Sequence, residues 1–101
     1  MNIYHITTPE AWEAAEDPEG YRAASLKTEG FIHCSFKEQL NGVLERYYKR
    51  AGPLLVLEIN PARVVSEIRT EPSTGGEDYP HIYGPLNKDA VVGTARISAS
   101  E

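Results

Sequence analysis

The chain has 101 residues, of which 41% are hydrophobic and 25% charged, and this predicts one ordered domain spanning residues 1–101. The formal net charge is −5, so bulk nucleic acid, which is bound by cations that neutralise phosphates, is an unfavourable partner. No apolar run approaches the roughly 20 residues of a membrane span, the N-terminus has no secretory signal pattern, and the single cysteine cannot form an internal disulfide. We therefore expect a cytoplasmic protein with no membrane partner.

The N-terminal residues predict a strand followed by a helix. The segment "NIYHIT" is rich in β-branched and aromatic residues and predicts the first strand. Thr8 as N-cap and Pro9 at the first helical position predict a helix through "EAWEAAE". Trp12 and Ala15 are expected to cover the core from this helix.

The next segments predict a second strand and a second helix. "ASLKTEG" indicates a short strand and a turn, and "FIHCS" indicates a strand more strongly. Ser35 and Glu38 have the spacing of a capping box and predict a helix after them. The apolar face of this helix is formed by Phe36, Leu40, Val43, Leu44 and Tyr47.

The second half of the chain predicts strands. "LLVLEI" is nearly continuous in apolar residues, as expected of a central strand covered on both faces. "VVSEIRT", "HIYG" and "AVVGTARIS" predict further strands, and "EPSTGGEDYP" predicts a long surface loop with a Gly-Gly hinge, a type of loop that often covers a ligand. Helices early and strands late indicate an α+β fold.

Each of the three histidines lies beside an isoleucine in a predicted strand. Because strand side chains alternate between faces, His5 shares a face with Thr7, His33 with Phe31 and Ser35, and His81 with Tyr83. We predict that the three faces converge and that the three imidazoles line one cleft. The alternative for each histidine is a structural residue whose ring nitrogens are satisfied by backbone or hydroxyl groups.

The single cysteine and the possible metal ligands give weaker indications. Cys34 projects away from His33 in a regular strand, so the two cannot form a nucleophile and its base; we expect an inert, buried thiol. The histidines have no HxH or HxxxH spacing and there is no second cysteine, so we predict no tightly bound structural metal.

Three segments, "IYHITTPEAWEAA", "GYRAASLKTEGFIHCS" and "PHIYGPLNKDAVVG", resemble domain-of-unknown-function family 952, a family of small uncharacterised bacterial proteins. That family looks like a reduced member of the ADP-ribosyltransferase fold, which implies split antiparallel β-sheets, two to three short helices and a cleft that takes NAD. The order of features also resembles the catalytic domain of the RNA 2′-phosphotransferases, with "HIT" and "HCS" at the two His-containing motifs.

The resemblance implies roles for individual residues. His5 would hold the ribose hydroxyls of NAD, with Thr7, Ser35 and Tyr83 as further cofactor-binding residues. His5, His33, His81 and Tyr83 would form the catalytic set. Ile6 stands where those relatives have a small glycine, and the late "HIYG" lacks the glutamate that orients the ribose in protein-modifying relatives, so the fold can be kept while the known chemistries are lost.

Three functions remain open from the sequence. The leading hypothesis is a cytoplasmic domain that binds NAD or a related small-molecule nucleotide and performs glycosyl or ADP-ribosyl-type transfer. The alternative is a non-catalytic nucleotide-binding module that uses the same cleft. The third is a metal-dependent hydrolase built on the histidines. The sequence does not decide whether turnover occurs.

Overall fold

Two antiparallel sheets are the main elements of this protein, which is described here from a computed structural model over residues 1–16, 20–48 and 52–98. The strands are β1 Ile3–Thr7, β2 Ile32–His33, β3 Ser35–Phe36, β4 Pro53–Ile59, β5 Glu67–Pro72, β6 Asp78–Tyr83 and β7 Val91–Ser98. The helices are α1 Pro9–Glu13, α2 Ala24–Thr28 and α3 Leu40–Tyr47. Four 3₁₀ turns cover Lys37–Gln39, Pro61–Arg63, Thr74–Gly76 and Lys88–Ala90.

The strand orders are β3-β1-β4-β7 in the first sheet and β2-β6-β5 in the second. The predicted α+β class is confirmed, with antiparallel pairing throughout both sheets and three short α-helices among the described residues. Strand β4 lies between β1 and β7 and buries Leu54, Leu55, Leu57 and Ile59. The central position predicted for this strand is therefore confirmed. Its cover is uneven, since Leu55, Leu57 and Ile59 on one face are buried, whereas Val56 and Glu58 on the other face are half-buried.

One core joins the two sheets. Leu57 and Ile59 of the first sheet and Ile32 and Ile82 of the second are completely buried and belong to the same cluster of apolar side chains. Burial of apolar surface is the main stabilising term in folding. The two sheets are therefore expected to unfold together.

Helix α1 begins as its sequence predicts. Thr8 has an extended backbone, and its Oγ1 accepts a hydrogen bond of 3.1 Å from the N–H of Ala11. Pro9 occupies the first turn, where its missing N–H has no partner to lose. Trp12 and Ala15 pack against the core, as expected.

The prediction of a single strand through "FIHCS" is wrong, because the chain changes sheets at Cys34. Ile32 and His33 pair with β6, whereas Ser35 pairs with Tyr4 of β1. Between them, the N–H of Cys34 donates to the carbonyl of Pro80 at 3.1 Å. Local propensity favours a strand on both sides of Cys34 and contains no information about which partner each half takes.

The short strand predicted in "ASLKTEG" is also wrong, since Ala24–Thr28 is helix α2, and the predicted turn follows it at Glu29 and Gly30. The N–H groups of Glu29 and Gly30 donate to the carbonyl of Ser25 at 2.7 and 3.1 Å. Gly30 has a φ of 91°, the left-handed conformation that commonly ends a helix. Ala, Leu and Lys are good helix formers, so the local signal was present and pointed to a helix.

The predicted capping box of Ser35 and Glu38 is displaced by one residue. Ser35 is a buried residue of β3, and it is Gln39 whose Oε1 accepts from the N–H of Phe36 at 2.9 Å. The Nε2 of Gln39 also donates to the carbonyl of Asp78 at 2.9 Å. The amide therefore caps the 3₁₀ turn before α3 and ties it to β6, a tertiary contact that the spacing rule does not consider.

The predicted loop over residues 71–80 is largely a β-hairpin. Glu71 pairs with Tyr79 and Pro72 with Asp78, and the turn is closed by a 2.9 Å bond from the N–H of Ser73 to the carbonyl of Glu77. The strand predicted in "VVSEIRT" begins only at Glu67. Polar residues obscure these strands in the sequence because one face of the second sheet carries charged and aromatic groups instead of a core.

Candidate functional site

A cavity adjoins the place where the two sheets separate. Strand β3 pairs only with Ile3 and Tyr4, so along His5–Thr7 strand β1 has β4 on one side and no strand of the described residues on the other. A cavity of about 630 Å³ is lined by this stretch and by the segment that crosses between the sheets. Its volume is in the range of small-molecule sites.

The residues that line this cavity include tyrosines, serines and threonines, and one arginine. These are Tyr4, Tyr21, Tyr47, Tyr48 and Tyr79, the hydroxyl residues Thr7, Thr8, Ser25, Ser35 and Ser73, and Arg22. Apolar surface comes from the aliphatic residues Ile6, Val43 and Leu54. Such a surface can bind a flat ring by stacking and can donate or accept several hydrogen bonds.

His5 lies in the wall of the cavity, with both ring nitrogens engaged. Its Nδ1 is 2.6 Å from the carbonyl oxygen of His33, and its Nε2 is 2.8 Å from the hydroxyl of Tyr21, which is 2.9 Å from Oγ1 of Thr7. A carbonyl can only accept, so Nδ1 carries the proton, and in a neutral ring Nε2 accepts from the Tyr21 hydroxyl. The His33 carbonyl, next to the break between the strands, is thereby satisfied.

Burial holds this group of side chains in the neutral form. Desolvation lowers the pKa of His5 to about 4, and the hydrogen bond to the His33 carbonyl only partly offsets it. Desolvation likewise raises the pKa of Tyr21. Near neutral pH the side chains of His5, Tyr21 and Thr7 therefore form an uncharged chain of hydrogen bonds, and neither nitrogen of His5 is left over for a ligand in this arrangement.

A second group of polar side chains lies on the face of the second sheet that points away from the core. Ile32, Ile82 and Ile68 pair across β2, β6 and β5 and pack in or against the core. The next register position pairs His33, His81 and Arg69, whose side chains project from the opposite face. We call the set on that face the outer-face cluster; its members are Phe31, His33, Arg69, Glu71, His81 and Tyr83.

Rings make up most of the outer-face cluster. Phe31 stacks on His81, with centroids 4.1 Å apart and planes at 20°. His33 meets both rings edge-on, at 4.8 Å from Phe31 and 5.4 Å from His81. Tyr83 is 5.2 Å from Phe31 and has the guanidinium of Arg69 over its face at 4.4 Å. Two of the three histidine rings are therefore neighbours.

Glu71 joins the polar atoms of the outer-face cluster. One oxygen, Oε1, accepts from the Tyr83 hydroxyl at 2.6 Å and lies 2.8 Å from Nδ1 of His81. The hydrogen bond from Tyr83 and, after it, the one from His81 lower the pKa of Glu71. The hydrogen bond between Tyr83 and Glu71 also raises the pKa of Tyr83. Glu71 is thus ionised and Tyr83 protonated near neutral pH.

His81 differs from His5 in having one nitrogen without a partner among the described residues. The residue is 3% exposed, and its Nε2 is a buried polar atom for which the described residues provide no hydrogen bond. His33 is the exposed histidine, with 46% of its side chain accessible and its Nε2 3.1 Å from Glu29. The three imidazoles are therefore in three different environments.

The prediction that all three histidines line one cleft is wrong. His5, His33, Thr7 and Ser35 line the cavity, whereas His81 and Tyr83 are not among its lining residues. His33 connects the two groups, since its carbonyl contacts His5 and its ring contacts His81. The alternation of strand faces correctly predicted that His81 shares a face with Tyr83, and His33 with Phe31. The two pairs come together because β2 pairs with β6, and β1 takes no part.

Several residues of these sites were not selected from the sequence. Tyr21, Arg22 and Tyr48 line the cavity, and Glu71 holds the outer-face cluster. The expectation that "EPSTGGEDYP" is a loop concealed Glu71, because a strand at 67–72 would have placed its side chain on the face of His81. Tyr21 and Tyr48 follow helices in the sequence, and no local signal distinguishes them from packing residues.

Cys34 is buried, as predicted, and desolvation strongly raises the pKa of its thiol. Within residues 1–16, 20–48 and 52–98, no three His, Cys, Asp or Glu side chains are grouped as a metal ion requires. The same residues contain no helix long and apolar enough to cross a membrane.

The chain belongs to the family described as "Protein of unknown function (DUF952)", whose model matches residues 6–94. It is similar to protein CC0527 from Caulobacter crescentus at 28% sequence identity. The crystal structure of that protein superposes with a TM-score of 0.85, covering 95% of this chain and 85% of the other. The crystal structure of a double mutant of CC0527 gives a TM-score of 0.84. The solution NMR structure of CC0527 gives 0.77, covering 93% of this chain and 82% of the other. No curated protein matches.

Proposed function

We propose that the protein binds a nucleotide-class small molecule, NAD or a close relative, in the cavity between the two sheets. The observation that carries the proposal is the composition of the cavity wall, in which tyrosines, serines, threonines and Arg22 line about 630 Å³. A nucleotide has three parts, a flat base, a ribose and a phosphate, and each part finds a matching chemistry in this wall.

The proposal includes an ADP-ribosyltransferase-like arrangement, in which the ligand enters the split between two antiparallel sheets. Its support is the separation of the sheets at Cys34 and the stretch of β1 beyond Tyr4 that has no strand beside it in the described part of the chain. Thr7 and Ser35 contribute hydroxyl groups to the ribose site. His5 acts as a positioning residue, because it orients Tyr21 and through it Thr7.

Ligand binding is tested by thermal unfolding and calorimetry with NAD, ADP-ribose, AMP and adenosine. A ligand that binds only the folded state at about 100 times its Kd adds about 2.7 kcal/mol to the free energy of unfolding. We expect NAD or ADP-ribose to raise Tm and adenosine to have a smaller effect. No shift with any of the four would refute the proposal.

A matched pair of arginine variants tests the place of binding. Arg22→Gln should weaken the binding of phosphate-bearing ligands about tenfold or more, since charge-assisted hydrogen bonds contribute about 1.5–3 kcal/mol. Arg63→Gln is the control, because Arg63 is exposed on a 3₁₀ turn and is not a cavity-lining residue. Equal losses in both variants would mean that the ligand is attracted by general charge and not held in the cavity.

Transfer chemistry is a separate part of the proposal, with the non-catalytic binding module as its alternative. Incubation of the protein with NAD, followed by chromatography for free nicotinamide, distinguishes the two. The transferase predicts nicotinamide release above the rate without protein, and the binding module predicts a Tm shift without release. The third possibility, a metal-dependent hydrolase, has no support from the grouping of the described side chains.

A further inference from the structure

The buried Nε2 of His81 is an unusual feature of the outer-face cluster. Buried polar atoms in native proteins almost always have a hydrogen-bond partner, and exceptions often mark a catalytic or ligand-binding role. His81 is 3% exposed, and no group of the described residues bonds to Nε2. The other two histidines do not share this feature, since His5 uses both nitrogens and His33 is exposed.

The contacts of Glu71 define which form of His81 is present. The carboxylate oxygen 2.8 Å from Nδ1 can only accept, so Nδ1 carries the proton. A second proton on Nε2 would place an N–H with no acceptor in a buried position. The neutral ring, with a lone pair on Nε2, is therefore the form that fits. The Tyr83 hydroxyl donates to the same oxygen at 2.6 Å and helps to fix the carboxylate.

Phe31 covers one face of this imidazole. Its ring is stacked on His81 at 4.1 Å, yet Phe31 is only half-buried and lies between α2 and β2, outside any regular element. Its backbone is held by the Ser25 hydroxyl, which donates to the Phe31 carbonyl at 2.7 Å. The side chain can therefore turn aside without breaking a strand or a helix.

The imidazole also lies beside the cavity. Tyr79 and His81 are two positions apart on β6 and project from the same face of the sheet. Tyr79 lines the cavity, and so does His33, whose ring is 5.4 Å from that of His81. Two neighbours of His81, one on its own strand and one across the sheet, thus line the cavity.

We propose that His81 is the proton acceptor of a gated site, with Phe31 as the gate and Glu71 as the positioning residue. With Phe31 turned aside, a hydroxyl group of the bound molecule donates to Nε2. In a reaction its O–H bond breaks as an N–H bond forms, and the resulting imidazolium is stabilised by the carboxylate of Glu71. This assignment deepens the proposed function and rests on it, because the hydroxyl belongs to the ligand of the cavity.

Diethyl pyrocarbonate tests the gate without any ligand, because it acylates unprotonated imidazole nitrogens. The modification of each histidine is followed by mass spectrometry of peptides. We expect Phe31→Ala to raise the rate at His81 by about tenfold, since it removes the ring that covers one face of the imidazole and contacts His33 and Tyr83. Phe31→Leu should give a smaller increase and serves if the alanine variant does not fold.

Phe36→Ala is the matched control, since Phe36 is the only other phenylalanine, is half-buried like Phe31 and packs against the core instead of the outer-face cluster. If it accelerates modification of His81 as much as Phe31→Ala does, the reagent enters by general loosening and the gate is refuted. Adding Glu71→Gln to the Phe31 variant should slow His81 several-fold and leave His33 unchanged. An unchanged rate at His81 would refute the role of Glu71.

The outcomes of this experiment and of the NAD titration are distinguishable. A gated, reactive His81 in a protein that binds no nucleotide would refute the proposed ligand and keep the gate. Nucleotide binding by a protein whose His81 reacts no faster after Phe31 is removed would keep the cavity function and refute the gated proton acceptor.

Discussion

His5 and His81 are both buried, but their imidazoles are used in different ways. His5 satisfies a backbone carbonyl with Nδ1 and the Tyr21 hydroxyl with Nε2, whereas His81 has a carboxylate on Nδ1 and no partner on Nε2 among the described residues. A satisfied, uncharged histidine stabilises the fold. A histidine with an unused lone pair costs free energy, because a desolvated acceptor is left without a bond.

The first prediction concerns the pH dependence of stability through His5. The pKa of His5 is about 4 in the folded protein and about 6.5 in an unfolded chain. As the pH falls between these values, only the unfolded state takes up the proton. The contribution of His5 to the free energy of unfolding is therefore fully present above about pH 6.5. It falls by about 3 kcal/mol by pH 4.

Urea unfolding of wild type and His5→Gln across this pH range measures the contribution of His5. The variant should be less stable at pH 7 by about 1–2 kcal/mol, because glutamine replaces only part of the hydrogen bonding. It should also lose stability less steeply toward pH 4. His33→Gln, at the exposed histidine, is the control. An equally steep decline in wild type and His5→Gln would show that other groups cause the pH dependence.

The second prediction concerns the thiol of Cys34. Because burial excludes reagents and raises the pKa of this thiol, native protein should react with a thiol reagent at least about a hundred times more slowly than unfolded protein. The comparison is made in buffer and in denaturant with the same reagent. Rapid labelling of the native protein would mean that the cavity admits the reagent to the sulfur.

At the scale of elements, the connections between strands position the site. The chain leaves the second sheet at His33 and enters the first at Ser35, and the hairpin of β5 and β6 brings Glu71 to His81. Gln39 links this hairpin to the turn that precedes α3. The site residues thus depend on how separate elements pair, whether these are neighbours in the chain, as β5 and β6 are, or distant in it, as Gln39 and Asp78 are.

The third prediction separates two candidate capping residues. Gln39→Ala should lower the free energy of unfolding by about 1–2 kcal/mol, because it removes the acceptor for the Phe36 N–H and the donor to the Asp78 carbonyl. Glu38→Ala is the matched control and should stay within about 0.5 kcal/mol. Urea midpoints decide between them. A larger loss for Glu38→Ala would restore the capping box predicted from the spacing of Ser35 and Glu38.

At the scale of the molecule, both sheets contribute to one apolar cluster, with Leu57 and Ile59 from the first and Ile32 and Ile82 from the second. The cavity and the outer-face cluster lie around this core and not in it. Substitutions in the two sites can therefore change binding without removing the apolar contacts that hold the sheets together.

The fourth prediction is that the two sheets unfold in one transition. Leu57→Ala and Ile82→Ala should each cost about 2–5 kcal/mol, since both side chains are completely buried. Two probes are compared within each protein, circular dichroism and the fluorescence of Trp12, which packs against the shared cluster. In wild type and in each variant, the two probes should give one and the same urea midpoint. Separate midpoints in the Ile82 variant would show that the second sheet unfolds independently.

Much of the fold could be predicted because its signals are local. The first strand, the capped helix after it and the apolar strand β4 follow from β-branched content, from Thr8 and Pro9 and from a run of aliphatic residues. Helix α2 and the hairpin were missed for two reasons. The helix is short, and the hairpin strands have a polar outer face, which removes the alternation by which strands are recognised.

The site was predicted in part. Face alternation identified His81 with Tyr83 and His33 with Phe31, and these residues do meet. Alternation could not show that His5 belongs to a different group. It defines which residues of one strand share a face, but it does not define which strand that face will meet. Tyr21 and Glu71 needed the assembled chain, since Tyr21 meets His5 and Glu71 meets His81 only when separate elements come together. Arg22 is identified only by the cavity that it lines.

The sequence by itself determined the α+β class, the central strand and the burial of Cys34, because propensity, capping and apolar content act over a few residues. The tertiary structure alone decided where "FIHCS" changes sheets, which histidine has a nitrogen that no described residue bonds, and where the cavity lies. These depend on the pairing of strands distant in the sequence, whose free energy comes from the shared core of Leu57 and Ile82.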